Sequence, residues 1–248
     1  MYPQSFIENK EKFVRFGFEH NIWLLFGTII LCIMIYFGRR MSHKNQQIIG
    51  LSHALVTTGI WALMNVVIYQ YNGLMWSSLL PFHVCYFFNL VLPFMHSKRS
   101  FPIFEIAYFW VLAGCIQGLV TPDLDESFPH YFNIRYFVVH LGLVMSVLYA
   151  TIVYRFRPTW KGIVRAMLVG NLYMCFAHLV NLSLGTNFMY VEKAPPNTIL
   201  DLFGEHYLFW AELAATFLFC ILMLPFTNWQ KVHIFIKNRI LLLKKQIN

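Results

Sequence analysis

The hexapeptide LPFHVC, residues 80–85, brings a proline, an imidazole and a thiol into one turn of an apolar segment. A thiol beside an imidazole is the smallest nucleophile–base pair. The imidazole takes the proton and the thiolate attacks an acyl carbonyl, leaving a thioester. On a regular helix His83 and Cys85, two residues apart, face different ways. Unless Pro81 distorts the first turn, the base for Cys85 has to come from elsewhere. Two other apolar segments supply imidazoles: His140 in RYFVVH and His178 in HLVN. Asn89 is one turn from Cys85 at i, i+4, and Asn181 one turn from His178 at i, i+3, so each pair shares a helix face. The plainer reading is that a lone cysteine in such a segment is an inert small hydrophobe. By the same reading, a lone histidine there joins two helices by a hydrogen bond.

The elements that position these groups follow from composition. Of 248 residues, 58% are hydrophobic and only 12% charged, where a soluble domain is about a quarter charged. The expectation is an all-α polytopic membrane protein, a seven-transmembrane-helix bundle, because lipid tolerates only spans whose backbone is satisfied internally. At about 20 apolar residues per crossing, the spans fall at roughly 22–38, 48–69, 79–95, 103–121, 135–154, 163–184 and 206–226. Pro81, Pro102, Pro122, Pro158 and Pro225 lie at or near their ends, where a missing N–H costs least. An amphipathic interfacial segment is expected over 1–20, the bundle over 21–226 and a basic amphipathic tail over 227–248.

The net charge of +8 reads as topology and anionic-lipid contact rather than nucleic-acid binding. Arg39, Arg40, Lys44, Lys98, Arg99, Arg155, Arg157 and Lys161 fall in loops 1–2, 3–4 and 5–6, and the tail adds five more. The opposite loops carry few. The expected orientation is N-terminus out and C-terminus in, in a bacterial cytoplasmic membrane. Lys10, Lys12 and Arg15 run mildly against it.

Depth then sorts the polar residues. At 1.5 Å per residue Cys85 lies roughly 9 Å, His140 about 8 Å, and His178 with Asn181 on the order of 5–10 Å below the outer ends of their spans. Asn65, Gln117 and Glu212 reach a similar level. Six spans thus contribute to one polar layer near the outer face, and intramembrane polar groups are functional candidates by default. Two loops flank the layer. One carries Asp123, Asp125, Glu126, His130 and Arg135. The other contains Pro195–Pro196 and is expected to fold over the bundle. The acidic cluster Asp123, Asp125, Glu126 and His130 could hold a divalent metal, but the expectation is a solvated loop without one. The cysteines at 32, 85, 115, 175 and 220 form no CxxC, which argues against a disulfide relay between Cys85 and Cys115.

LPFHVCYFFNLVLPF, CIQGLVTPDL, IRYFVVHLGLV and NLSLGTNFMYVEKAPPNTILDLFG together resemble the YwaF family of seven-helix bacterial membrane proteins. That family is similar to eukaryotic transmembrane protein 164. The resemblance covers about residues 20 to 226. The eukaryotic relatives are described as cysteine-dependent acyltransferases that remodel phospholipids. The resemblance therefore implies Cys85 as the acyl-accepting nucleophile and His140 as its histidine. Tyr86 departs from the polar or acidic residue often found after the cysteine.

The resulting expectation is a membrane acyltransferase that moves a fatty-acyl group from a phospholipid donor to a lipid acceptor through a Cys85 thioester, without a cofactor. His178, Asn181 or Asn89 would stabilise the oxyanion, Gln117 would belong to the same layer, and Asp123 and Arg135 would orient a head group. The rival is a lipid or small-solute transporter or binding protein, whose polar layer would be a substrate site.

Overall fold

The computed structural model describes residues 4–8, 11–194 and 199–227. Pro195, Pro196 and the tail from residue 228 onward lie outside them. Among the described residues seven helical segments are long and apolar enough to cross a membrane: Phe18–Gly38, His43–Asn72, Trp76–Lys98, Phe101–Val120, Tyr131–Ile152, Trp160–Leu184 and Leu202–Phe226. They are spans 1 to 7 below. The chain is an all-α seven-span membrane protein.

Local chemistry sets the ends. Ser42 accepts from the N–H of Asn45 to start span 2, and Thr159 accepts from the N–H of Gly162 to start span 6. Span 3 is broken near its beginning. Pro81 offers no N–H and forces Leu80 to extended backbone (φ −80°, ψ 141°). The helix restarts at Val84, with His83 as its extended N-cap. Span 4 carries a five-residue π turn, Val111–Cys115.

Span 5 is the axis of the bundle. Of its most apolar window 72% is buried, against 11% for span 1 and 17% for span 7. Leu25, Ile29, Leu168, Leu172, Phe209 and Phe217 on the outer spans are exposed, as a lipid-facing surface requires. Close approach needs small residues. A Cβ on Gly142 of span 5 would stand 2.6 Å from the Thr57 hydroxyl of span 2.

The N-terminal segment differs from the expected interfacial helix. One turn, Gln4–Ile7, is helical. Residues 11–14 form a strap that pairs with loop 4–5, and a turn over 15–17 leads into span 1. Lys12 bridges Glu126, and the N–H of Phe13 donates to Asp125 O at 2.7 Å. The Glu19 carboxylate of span 1 holds loop 4–5 and the start of span 5, accepting from the Ser127 hydroxyl, the Phe128 N–H and the Asn133 amide. Phe13 turns inward, buried against His20 and Phe137, while Phe16 and Phe18 stay exposed.

Candidate active site

Cys85 stands in the first turn of the restarted helix of span 3. Its sulfur lies 3.5 Å from the sulfur of Cys115, at the end of the π turn of span 4. His140 of span 5 lines the same pocket as Cys85. The ring is fixed on three sides. His140 Nδ1 lies 2.8 Å from the carbonyl oxygen of Tyr136, one turn earlier. A carbonyl only accepts, so Nδ1 carries the proton and Nε2 keeps the lone pair of a base. The ring also stacks on Tyr136 at 4.2 Å. Its other edge rests on Gly118, whose carbonyl accepts from the Tyr136 hydroxyl at 2.8 Å.

Above this floor is a cavity of about 540 Å³. Its mouth is polar. Asp123, Asp125, Glu126 and Arg135 line it together with Ser78 and Tyr190. Arg135 is 6% exposed and donates to Asn65 Oδ1 and Ser78 O, each at 3.0 Å. Its guanidinium lies 5.0 Å from the Tyr86 ring centre. Beside the pocket, an apolar crevice of about 180 Å³ is walled by Val84, Phe88 and Val91 of span 3, Ile106 of span 4 and Tyr173 of span 6. Met189 lines the crevice and Tyr190 the pocket. Both residues adopt positive φ (61° and 54°), a conformation that side chains other than glycine resist.

Of the residues expected from sequence, Cys85, His140, Asp123 and Arg135 come together. Asn89 lies buried one turn along span 3 from Cys85, and its Nδ2 has no hydrogen-bond partner among the described residues. Three expectations need correction. His178 does not share the cavity: its Nδ1 pairs with Glu192 at 2.7 Å, in a separate crevice between spans 6 and 7 that also holds Glu212. That hydrogen bond keeps the Glu192 carboxyl below its ordinary range. Asn181 is a loop post, not an oxyanion donor. Its carboxamide holds Phe188 by both backbone groups, at 2.7 and 3.1 Å. Gln117 is exposed and lines a groove with Phe203 and Trp210, because the π turn shifts the register of span 4.

Other groups were not legible as site residues. His83 lines the Cys85 cavity with its ring 5.3 Å from Phe188. The i, i+2 argument fails there because the helix has not yet begun. Tyr136 and Gly118 carry the imidazole, and a Tyr136–His140 spacing of one turn was the available signal. Cys115, set aside for want of a CxxC, lies on the Cys85 sulfur. Glu105 and His53 also lie inside the bundle. Glu105 is fully buried and accepts from Thr159 and Arg165, while His53 bonds Gly142 O at 3.1 Å. Among the described residues no three His, Cys, Asp or Glu side chains converge to hold a metal.

The fold and the cavity define a multi-pass membrane protein with a thiol and an imidazole at the floor of a polar-mouthed pocket. The chain belongs to the TMEM164 family, whose model matches residues 15–223. It is similar to a protein of Treponema pallidum (strain Nichols) described as uncharacterized, with 24% identity over 221 residues, 86% of this chain and 90% of that protein. No solved structure matches.

Proposed function

We propose that the chain is a lipid acyltransferase that works through a thioester on Cys85. The observation that carries this reading is that the Cys85 thiol and the His140 ring line the floor of one cavity. In the first half-reaction the Cys85 proton passes to His140 Nε2 and the sulfur attacks the ester carbonyl of a phospholipid. The S–C bond forms, the ester C–O bond breaks, and the leaving alkoxide takes the proton back from His140. In the second, His140 removes a proton from the acceptor lipid's hydroxyl or amine, which attacks the thioester carbonyl; the C–S bond breaks, and the Cys85 sulfur takes the proton from His140. The balance closes without a cofactor. The unpartnered Asn89 amide is the donor for the tetrahedral oxyanion, Arg135 and Asp123 meet the head group, and the apolar crevice takes the acyl chain.

The basic loops support a reading in which the pocket opens at the extracytoplasmic leaflet of the cell membrane. A single cysteine introduced into loop 4–5 of a variant lacking Cys32, Cys175 and Cys220 is expected to react with an impermeant reagent from outside intact cells. Labelling only after permeabilisation would move the pocket to the inner leaflet.

The mechanism is tested by intact-protein mass spectrometry before and after hydroxylamine, alongside acyl exchange between defined phospholipids in proteoliposomes. Wild type is expected to carry a hydroxylamine-labile acyl group and to catalyse exchange. Cys85→Ser is expected to do neither while folding normally. Wild-type exchange by Cys85→Ser, or accumulation of a lipid or solute across the bilayer without any exchange, would replace the enzyme with a transporter.

A further inference from the structure

Cys115 has no role in the mechanism above, yet it is fully buried and its sulfur lies 3.5 Å from that of Cys85. Among the described residues the Cys85 sulfur is its only side-chain hydrogen-bond partner. The surrounding side chains of its turn, Val111 and Leu112, are apolar and buried. The backbone is built to bring it there. One additional residue in a helical turn rotates everything after it by about 100°, and the π turn ends on Cys115 itself. The same shift puts Gly118 under the His140 ring and turns Gln117 outward. A π turn of this kind is favoured where a side chain has to be re-aimed at a functional site.

We infer that Cys115 is a positioning residue: its S–H donates to the Cys85 sulfur and holds that sulfur as its charge develops. The Cys115 S–H bond stays intact throughout, and the proton that moves is the one Cys85 gives to His140 Nε2. A donor aimed at a nascent thiolate favours it. Once the thioester forms, the sulfur loses its charge and becomes a poor acceptor. The bond is therefore stronger in the reactive state than in the acylated one, which is the differential a catalyst needs.

The inference rests on Cys85 being the nucleophile, but its test does not require the lipid substrate. The full chain, reconstituted in nanodiscs, is treated with N-ethylmaleimide, and the adduct on the Cys85 peptide is followed by mass spectrometry at fixed pH. Cys115→Ala and Cys115→Ser remove similar volume, but only serine keeps a donor. Alanine is expected to slow alkylation of Cys85 about tenfold, and serine to restore it to within about twofold of wild type, the scale of one charge-assisted hydrogen bond. Cys115→Val, which fills the space without a donor, is expected to behave as alanine. Equal rates in the alanine and serine variants, whether slow or fast, would leave Cys115 a packing residue and overturn the inference. So would a trapped acyl group found on Cys115 instead of Cys85, which would make it the acceptor itself. The expected alkylation pattern with no thioester on any cysteine would keep the positioning role and remove the acyltransferase.

Discussion

Gly118 and His140 touch across the span 4–span 5 interface with room for a hydrogen and no more. A Cβ built on Gly118 would stand 3.1 Å from His140 Cδ2 and 3.2 Å from Nε2, the atom that has to receive the Cys85 proton. Gly118→Ala is therefore expected to move the ring by tenths of an ångström and lower turnover several-fold. Gly118→Val displaces it further and is expected to lower turnover by about 100-fold, the usual penalty for a misplacement near 1 Å. Thermal unfolding of both variants should stay close to wild type. Steady-state exchange kinetics beside unfolding curves check this, and an unimpaired valine variant would mean that His140 is not the base.

Arg135 joins spans 2, 3 and 5 at the cavity mouth. Arg135→Ala leaves Asn65 Oδ1 and Ser78 O without their donor. The expected loss is roughly 2–3 kcal/mol, read as a fall in unfolding temperature. Lysine supplies charge without the planar fork, so Arg135→Lys is expected to fall between the two. If Arg135 also meets the head group, the lysine variant will raise KM for the donor lipid more than it lowers kcat.

Glu105 does a structural job at the other end of the bundle. Its buried carboxylate accepts from the Thr159 N–H at 3.1 Å, the Thr159 hydroxyl at 2.7 Å and the Arg165 guanidinium. Glu105→Ala is expected to destabilise by about 2–3 kcal/mol, and Glu105→Gln by less, since it keeps an acceptor for Thr159. Both are expected to retain wild-type turnover per folded molecule. A specific loss of turnover at unchanged stability would assign Glu105 to the chemistry instead.

The loop holding Tyr190 over the pocket is sensitive to acid. Glu192 accepts from His178, and this keeps its carboxyl below the ordinary glutamate value of 4.5. A group depressed in the folded state contributes stability above its unfolded pKa and loses it as pH falls through the folded one. Loop 187–193 is therefore expected to stay docked above about pH 4.5 and to loosen below it. Hydrogen exchange corrected for intrinsic rates would show this. Glu192→Gln, which cannot titrate, is expected to give a profile without the step.

The bundle was legible because lipid leaves few solutions. A chain this apolar must pair its backbone groups within each span, and the run lengths alone located all seven. Cys85 and His140 were expected in one layer for a related reason: polar groups rarely enter a span without cause, and these two lie at similar depth. Asp123 and Arg135 were expected in the loop beside it, and all four line one cavity. Depth, however, is a one-dimensional coordinate. His178 lies at the same level as His140 and Asn181 close to it, but they belong to a different crevice and a loop post. Which face a residue presents depends on local backbone geometry that a 3.6-residue period does not contain. Pro81 delays the helix so that His83 joins the pocket, and the π turn rotates Cys115 and Gly118 in and Gln117 out. Composition and spacing thus determined a seven-span membrane bundle with a polar layer near one end. Tertiary structure decided which side chains of that layer meet, because contact depends on rotation about each helix axis and on where each helix begins.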